Sequence, residues 1–482
     1  MGFSQQKWSK EMFLKERENT LSQWATGKEV CFEESVRFHA KLPQTKNVAY
    51  VLGQAHNRPL IQPRGGRALI EQQLALMKYL SKEGDADLLT ITIDSLTREQ
   101  KYAAIQQELE KCRLTGKDSL NGWPIVNYGV DGCRRLANVL TKPIQVRHAA
   151  VDGRLLSEIA VAGGISSLEG GGISANIPYL RDYDPEHSLK HWQYVDRLLG
   201  EYQEEGICIN REPFGALTGT LVPPCISHVV GIIETVLAAL QGVTSVTVSY
   251  GQCGNLIQDV AAIQTLPFLV DKYLTRFGLS GVQVTTAFHQ WMGGFPNDAN
   301  RAYGIIGWAA ATAAFSGASK VLVKNPHEAL NQPNEETIRA GLETTLQVLN
   351  MVSQQPLPHN AVLEQEKQLI IMETEAILES VIELGGGDIA KGSIEALKTG
   401  IIDVPFAPSR YNAGKVLPAR DLTGAVRFLD WGRLPFSKDI EEFHKGKINE
   451  RGQAEHQTPS FQMVINDISA ISKGMLLGKA GY

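Results

Sequence analysis

The 482-residue sequence predicts an α/β protein built on a parallel (β/α)8 TIM barrel, with N-terminal helices and a C-terminal helical and irregular extension. Three observations predict this fold. From about residue 48 to residue 345, short β-rich runs alternate with helical stretches, a pattern typical of parallel sheets with right-handed crossovers. Nine candidate strands lie in that region, which favours an eight-stranded barrel over a doubly wound sheet of five or six strands. Charged or polar residues follow nearly every strand.

The candidate strands are short apolar runs. They cover residues 59–63, 88–93, 124–128, 143–146, 165–168, 207–210, 245–249, 282–286 and 320–323. Helical patterns lie between most of them, for example at 68–82, 228–240 and 256–277. One candidate must lie outside an eight-stranded barrel. We expect it to be 124–128 or 143–146, because no long helix fits between these two runs.

Three regions are predicted along the chain. Residues 1–45 form an N-terminal helical segment of two helices, residues 46–350 the catalytic barrel, and residues 351–482 a C-terminal helical and wrapping extension. In the extension, a strong helix at 364–384 ends at a run of three glycines, which is a helix stop signal. From residue 402 the sequence predicts an irregular tail.

Composition excludes several classes of protein. With 47 Lys and Arg against 52 Asp and Glu, the net charge is -5, so no basic surplus exists to bind nucleic acid. The 43% hydrophobic content excludes a disordered chain. The longest apolar stretch, 304–318, is shorter than the roughly 18 residues of a membrane span and predicts a buried helix. The polar start and six scattered cysteines indicate a cytoplasmic protein.

Three arginines follow predicted strands: Arg64, Arg98 and Arg147. The carboxyl ends of barrel strands converge on one mouth, where active sites lie. Guanidinium groups clamp carboxylates with paired hydrogen bonds, so three of them suit a small substrate with two carboxylates. Glu169 is then the nearby anion, suited to hold an ammonium group or to move a proton. The predicted ligand is an acidic amino acid.

Alternative interpretations stand beside these. The arginines also have neighbouring acids, Asp94 and Asp152, as candidate ion-pair partners. The glycine-rich segment 169–174 suits close approach of the backbone to a ligand or a tight turn, and no GxxxxGK[ST] phosphate loop is present. His187 and His191 have the i, i+4 spacing of metal ligands, but their polar setting favours a solvated helix start, and no metal site is predicted.

Eight motifs, in order along almost the whole chain, resemble the large (epsilon) subunit of adenosylcobalamin-dependent glutamate mutase, also called methylaspartate mutase. The motifs are Gln62-Pro-Arg-Gly-Gly66, Leu120-Asn-Gly-Trp-Pro124, Arg147-His148, Glu169-Gly-Gly-Gly-Ile-Ser174, Asn210-Arg-Glu-Pro-Phe-Gly-Ala-Leu-Thr-Gly-Thr-Leu-Val-Pro-Pro224, Phe288-His-Gln-Trp-Met-Gly-Gly-Phe-Pro296, Lys324-Asn-Pro-His-Glu328 and Pro408-Ser-Arg-Tyr-Asn-Ala-Gly-Lys415. Their order makes the resemblance more specific than any single motif.

The resemblance implies a barrel whose mouth is closed by a small (sigma) subunit. That partner carries the cobalamin and supplies a histidine to cobalt from an Asp-x-His-x-x-Gly motif, which this chain lacks. It further implies a homodimer of this chain within a heterotetramer. The reaction implied is the radical isomerisation of L-glutamate to threo-3-methyl-L-aspartate, in which a 5′-deoxyadenosyl radical takes a hydrogen from the substrate.

The resemblance also assigns residues to roles. Glu169 is the candidate catalytic residue, near the substrate amino group. The residues implied in substrate binding are Arg64, Arg98, Arg147, His148, Glu169 and Tyr179. Those implied to face the cobalamin or its adenosyl group are Gly66, Asn121, Pro178, Phe295, Lys324 and Glu328.

One position departs from the family pattern. The family has a tyrosine in its Gly-Ile-Ser-Tyr-Asn segment, where this chain has Ala175. The loss of a hydroxyl and a ring from the pocket leaves a different acidic substrate as an alternative. A non-catalytic component that retains the fold is a second alternative.

Overall fold

A computed structural model describes residues 3–217, 219, 221–328, 333–357 and 360–479. Its centre is a sheet of eight parallel strands in the order β1-β8-β7-β6-β5-β4-β3-β2. The strands are β1 (Leu60–Gln62), β2 (Leu89–Thr92), β3 (Ile144–Arg147), β4 (Ser167–Glu169), β5 (Asn210–Glu212), β6 (Ser245–Gly251), β7 (Gln283–His289) and β8 (Lys320–Leu322). The Asp87 and Leu88 amides donate to the Ile61 carbonyl, at 3.1 and 3.3 Å, and link the two ends of the sheet. The predicted TIM barrel is confirmed.

Helices surround the strands and continue into the C-terminal extension. They are α1 (Lys10–Leu21), α2 (Phe32–Lys41), α3 (Val48–Leu52), α4 (Ile70–Lys82), α5 (Ser95–Arg98), α6 (Tyr102–Thr115), α7 (Ile125–Val139), α8 (Arg154–Ala162), α9 (Pro185–Glu204), α10 (Pro224–Leu240), α11 (Leu256–Arg276), α12 (Ala299–Ser316), α13 (Glu335–Val352), α14 (Ala361–Leu384), α15 (Ile389–Thr399), α16 (Lys438–Ala454) and α17 (Phe461–Ala470). The apolar stretch at 304–318 lies mostly in α12, whose buried face is rich in alanine. No described helix is long and apolar enough to cross a membrane.

The surplus strand candidate is 124–128, which is the start of α7. Its buried residues Val126, Val130, Cys133 and Ala137 recur every three or four positions, the period of a helix face rather than of a strand. The alternation expected of a strand is therefore absent, and the prediction of a strand there is wrong. The neighbouring candidate at 143–146 is β3.

Strand β5 lies about three residues later than predicted, because it contains the charged residues Arg211 and Glu212. Both are almost fully buried. The Arg211 Nε donates to Asp196 Oδ1 of α9 at 2.8 Å on the outer side of the strand, while Glu212 joins polar residues inside the barrel. These partners allow charged residues in a strand that the apolar pattern alone did not include.

The C-terminal extension is more regular than predicted. An antiparallel pair, β9 (Leu417–Arg420) and β10 (Val426–Asp430), precedes α16 and α17. Within the extension, β10 is tied to α14 by the buried pair of Arg427 and Glu366, at 2.7 Å between Nη1 and Oε1. Helix α16 is tied to α14 by the His444 ring, whose Nε2 lies 2.8 Å from Glu373 Oε1. The prediction of an irregular tail is wrong here, because the turns and prolines that predicted it separate ordered elements.

Candidate active site

A cavity of about 710 Å³ opens at the carboxyl ends of the barrel strands. Its walls come from β3, β4 and β7 and from the segments that follow β1, β2 and β5. All six residues predicted to bind substrate lie in its wall: Arg64, Arg98, Arg147, His148, Glu169 and Tyr179. The fold thus brings together side chains that are more than 100 positions apart in the sequence.

Arg147 and Glu169 form a buried ion pair at the base of this cavity. They end the neighbouring strands β3 and β4, where they are partners in the strand register. The Arg147 Nε lies 2.9 Å from Glu169 Oε2, and Arg147 is 8% exposed and Glu169 5% exposed. Burial raises the pKa of Glu169, and the positive charge of Arg147 opposes this effect. The Glu169 carboxyl group therefore has a raised proton affinity, which suits a group that exchanges protons.

Arg64 and Arg98 reach the same cavity without carboxylate partners at hydrogen-bond distance among the described residues. Arg64 follows β1 and is exposed, whereas Arg98 ends α5 and is half-buried. The Arg98 Nε donates to the main-chain oxygen of Asp94 at 3.4 Å. Burial, and then the charge of Arg64, lower the pKa of Arg98. Two such cations at one cavity favour an anionic ligand.

Neither neighbouring acid forms an ion pair with an arginine of the cavity, although the charge of Asp94 raises the pKa of Arg98 against the effect of burial. The Asp94 carboxylate caps α5, because its Oδ1 accepts from the Thr97 amide at 2.9 Å. The Asp152 carboxylate pairs with Arg154, at 2.8 Å between Oδ2 and Nη2. The alternative interpretation based on these two acids is therefore wrong, although Arg147 has glutamate partners of its own.

His148 and Tyr179 complete the polar wall as uncharged groups. The His148 ring stacks on Trp192 with centroids 5.1 Å apart, and burial lowers its pKa to about 3. Its Nδ1 accepts from the Ala150 amide at 3.0 Å. The Tyr179 hydroxyl donates to the Leu217 carbonyl at 2.6 Å, and desolvation raises the pKa of Tyr179 to about 12. Both groups therefore act as neutral side chains near pH 7.

An apolar patch forms another part of the cavity wall. Ala175, Phe214 and Leu217 are buried together, and Ala149 and Met292 pack against them. Ala175 is 1% exposed. The position at which the resemblance implies a ring thus carries a small side chain in a close-packed apolar patch.

A polar network fills the barrel interior below the cavity, and sequence analysis did not assign it. Its members are Gln62, Gln145, Glu212 and Lys320, all 0% exposed. The Lys320 Nζ donates to Gln62 Oε1 at 2.8 Å and ion-pairs with Glu212. The signal that indicates such residues is a charged or amide side chain inside a short buried strand, at the inward position of the period-2 pattern.

A second cavity of about 190 Å³ lies beside the first and shares Arg64 with it. Gly66, Asn121 and Glu328 contribute to its wall. The Glu328 carboxylate accepts from Lys324 Nζ at 2.5 Å and from Asn325 Nδ2 at 2.7 Å. Burial, and then the charge of Arg64, lower the pKa of Lys324 to about 8.

Three predicted cofactor residues lie outside the walls of both cavities. Pro178, Phe295 and Lys324 are buried, and none of them is in either wall, although Lys324 donates to Glu328 of the second cavity. Among the described residues, no group of three or more His, Cys, Asp or Glu side chains could hold a metal ion. His191 instead lies near Tyr183 and Asp152.

A profile of the family described as Methylaspartate mutase E chain (MutE) matches residues 42–480. The chain belongs to this family. The family predicted from the ordered motifs is therefore confirmed, and with it the assignment to the mutases, which are isomerases.

Relatives of the methylaspartate mutase E chain family align along nearly their whole length. The glutamate mutase epsilon subunit of Desulfitobacterium hafniense (strain Y51) is 55% identical over 471 residues, which is 97% of either chain. That of Treponema denticola is 48% identical over 469 residues, again 97% of either chain. Among solved structures, the carboxyl transferase domain of Rhizobium etli pyruvate carboxylase aligns over 92% of this chain and 79% of that chain, with a TM-score of 0.35 and 9% identity. A TM-score this low supports no conclusion about this chain.

The polar groups at the second cavity suit the hydroxyls of a ribose. The half-buried Glu328 carboxylate and the Asn325 amide lie in its wall, and the buried Lys324 ammonium group, which is outside the wall, donates to Glu328. Gly66 is close-packed against protein as well, since a Cβ there would lie 2.6 Å from the Thr92 carbonyl oxygen. The need for glycine at this position therefore arises from packing within the chain.

In this mutase chain, Glu234 of α10 accepts hydrogen bonds from the glycine-rich segment 169–174. The Glu234 Oε1 accepts from the Ile173 and Ser174 amides at 2.8 and 2.9 Å, and Oε2 accepts from Ser174 Oγ at 2.8 Å. A Cβ at Gly171 would lie 2.0 Å from Oε2. Glu234 thus fixes the segment that carries Ala175 into the cavity wall.

The burial of Glu234 predicts a pH-dependent stability. Burial raises its pKa from 4.5 to about 7, although Arg211 and the Ser174 hydrogen bonds oppose this. The unfolded carboxyl ionises near 4.5 and the folded one near 7, so the free energy of unfolding falls as pH rises between these values. We expect Glu234→Gln to remove up to about 3 kcal/mol of this fall. Its amide oxygen can accept from the Ile173 and Ser174 amides, and its NH2 group can donate to Ser174 Oγ instead of accepting from it.

Urea unfolding between pH 5 and pH 7.5 measures this effect. The exposed substitution Glu364→Gln serves as the control. Its free energy of unfolding should fall with rising pH in parallel with that of the unmodified chain. Parallel curves for the unmodified chain and Glu234→Gln would show that Glu234 titrates at its ordinary pKa.

Proposed function

We propose that this chain is the barrel (epsilon) subunit of adenosylcobalamin-dependent glutamate mutase, which interconverts L-glutamate and threo-3-methyl-L-aspartate. One observation carries the proposal: a member of the methylaspartate mutase E chain family keeps three arginines and a glutamate in the wall of one cavity. The two cations without carboxylate partners, together with Arg147, suit a substrate with two carboxylates. The glutamate suits its ammonium group.

The chain's own residues bind and orient the substrate in this proposal. Arg64, Arg98 and Arg147 hold the two carboxylates, and Glu169 accepts hydrogen bonds from the amino group or exchanges a proton with it. The neutral Tyr179 closes one side of the cavity, and the ring of His148 lies beside Arg147 in the wall. A substrate held at both ends keeps a reactive intermediate in place and away from water.

Adenosylcobalamin, when bound, supplies the radical that removes a hydrogen from the substrate. Lys324 and Glu328 would hold the adenosyl ribose by hydrogen bonds, with Gly66 and Asn121 along the same wall. Pro178 and Phe295 would contribute apolar contacts near the corrin after the partner binds. The cobalt ligand is expected from the partner, because this chain lacks the Asp-x-His-x-x-Gly motif.

The partner in this proposal is the small cobalamin-binding (sigma) subunit, which covers the mouth of the barrel. Two copies of this chain and two of the partner form a heterotetramer in the cytoplasm. The epsilon-subunit names of the relatives support a protein of more than one subunit.

Reconstitution tests the proposal. We expect no conversion of L-glutamate by the purified chain alone, and formation of 3-methylaspartate after addition of the small subunit and adenosylcobalamin. An electron paramagnetic resonance signal from an organic radical should appear at the same time. Turnover of another acidic amino acid but not L-glutamate would favour the substrate alternative. Binding of the partner with neither turnover nor radical would favour a non-catalytic role.

A further inference from the structure

The barrel interior contains a charge pair that lies next to Arg147, one of the three arginines of the cavity. Lys320 of β8 and Glu212 of β5 are both 0% exposed and form an ion pair. The Lys320 Nζ also donates to Gln145 Oε1 at 3.1 Å, and Gln145 Nε2 donates to Glu212 Oε2 at 2.7 Å. Every charged group in this layer therefore has described partners.

Burial of an ion pair is weak evidence for a role in stability. Desolvation of two charges costs several kcal/mol, and apolar side chains of similar size often replace such pairs without loss. A layer of apolar side chains is the ordinary filling of a TIM barrel. A gain in stability alone therefore does not explain a lysine and a glutamate in this layer.

The pair contacts the cavity through Arg147. The Arg147 Nη1 donates to Glu212 Oε1 at 2.9 Å, while Nε lies 2.9 Å from Glu169 Oε2. These two contacts fix the guanidinium from below and from the side. Nη2 has no acceptor among the described residues, and the side chain lies in the cavity wall. One donor of Arg147 thus stays available to a carboxylate ligand.

We propose that Lys320 and Glu212 are positioning residues that hold Arg147 with Nη2 toward the substrate and set the charge balance at Glu169. This proposal rests on the proposed function, since it assigns the pair a role in substrate binding. Glu212 shares the positive charge of Arg147 with Glu169, and Lys320 compensates the charge of Glu212. Without Glu212, the Arg147 guanidinium would pair with Glu169 alone. It would then compete with the substrate ammonium group for the Glu169 carboxylate.

The charged and titratable groups around Glu169 predict that loss of the Glu212 charge and loss of the Lys320 charge shift the pKa of Glu169 in opposite directions. The groups that face it are Arg147 of β3, Lys320 of β8, Glu212 of β5, Arg98 of α5, Arg64 after β1 and Tyr179 after β4. Burial is the largest cause of the raised pKa of Glu169, the charge of Glu212 raises it further, and the charge of Lys320 lowers it. Removal of Glu212's charge should therefore lower the pKa of Glu169, and removal of Lys320's charge should raise it.

The test uses Glu212→Gln, Lys320→Met and the double variant. The carboxyl ¹³C titration of Glu169, assigned by its loss in Glu169→Gln, is measured on the full chain without partner or cofactor. The pH profile of kcat/KM for L-glutamate is measured on the reconstituted enzyme. Asp467→Asn, which breaks the equally buried pair of Asp467 and Arg451 in the extension, is the matched control for lost stability.

We expect the Glu169 titration and the acidic limb of kcat/KM to move to lower pH in Glu212→Gln and to higher pH in Lys320→Met. The double variant should lie between them. Each single variant should raise KM about tenfold with a smaller change in kcat, since Arg147 binds ground state and transition state alike. Asp467→Asn should leave both the Glu169 titration and the acidic limb of kcat/KM unchanged.

Shifts of the same sign in both single variants, or no shift in either, would overturn the proposal. The NMR titration decides this even for a variant with a lowered midpoint of unfolding, since it needs only folded chain. If the unmodified reconstituted enzyme is inactive while the NMR shifts have the expected signs, the proposed function fails and the charge coupling stands. If the reconstituted enzyme is active but the NMR shifts are absent, the proposed function stands and the charge coupling fails.

Discussion

Replacement of Glu169 by glutamine is expected to lower kcat/KM for L-glutamate by about 100-fold in the reconstituted enzyme. Glu169 is 5% exposed, and its described ionic partner is Arg147. Glutamine keeps the shape of the side chain but loses the charge that attracts an ammonium group. A hydrogen bond between charged groups contributes up to about 3 kcal/mol, which corresponds to this factor.

The pH dependence provides a second measurement on the same variant. The charged carboxylate binds the ammonium group, and burial raises its pKa, so activity should fall with decreasing pH above the range in which exposed glutamates titrate. Glu169→Gln should lack this limb. Glu343→Gln, an exposed substitution on α13, should keep both the activity and the limb. A Glu169→Gln enzyme within threefold of the unmodified one would exclude Glu169 from substrate binding and proton transfer.

Replacement of Arg147 by lysine is expected to raise KM for L-glutamate by about 100-fold. A lysine keeps the charge but not the planar fork, so it cannot contact Glu169, Glu212 and a substrate carboxylate from three directions. Loss of a carboxylate contact weakens the binding of ground state and transition state together, and therefore acts on KM more than on kcat.

Steady-state kinetics with varied L-glutamate measures this effect, and Arg339→Lys on α13 is the control, since Arg339 pairs with Glu343 on the surface. The thermal midpoint of Arg147→Lys should also fall, because buried Glu212 loses a hydrogen bond from Nη1. An unchanged KM together with a lowered thermal midpoint would limit Arg147 to a structural role.

The barrel was predictable because its signal is local. Most strands coincide with a short apolar run that is followed by a helix, and chain order alone places the residue after each strand at the common mouth. This reasoning placed Arg64, Arg98, Arg147 and Glu169 in one cavity without any knowledge of distances. It failed at 124–128, where a five-residue apolar run is too short to distinguish a strand from the first turns of α7.

The sequence by itself determined the fold class, the family and the residues at the mouth of the barrel. Only the tertiary structure decided which charges meet: Asp94 caps α5, Asp152 pairs with Arg154, and Glu212 and Lys320 pair inside the barrel although 108 positions separate them. The reason is physical. A periodic pattern records which side of an element is buried, whereas an ion pair depends on the register and closure of strands that are distant in the chain.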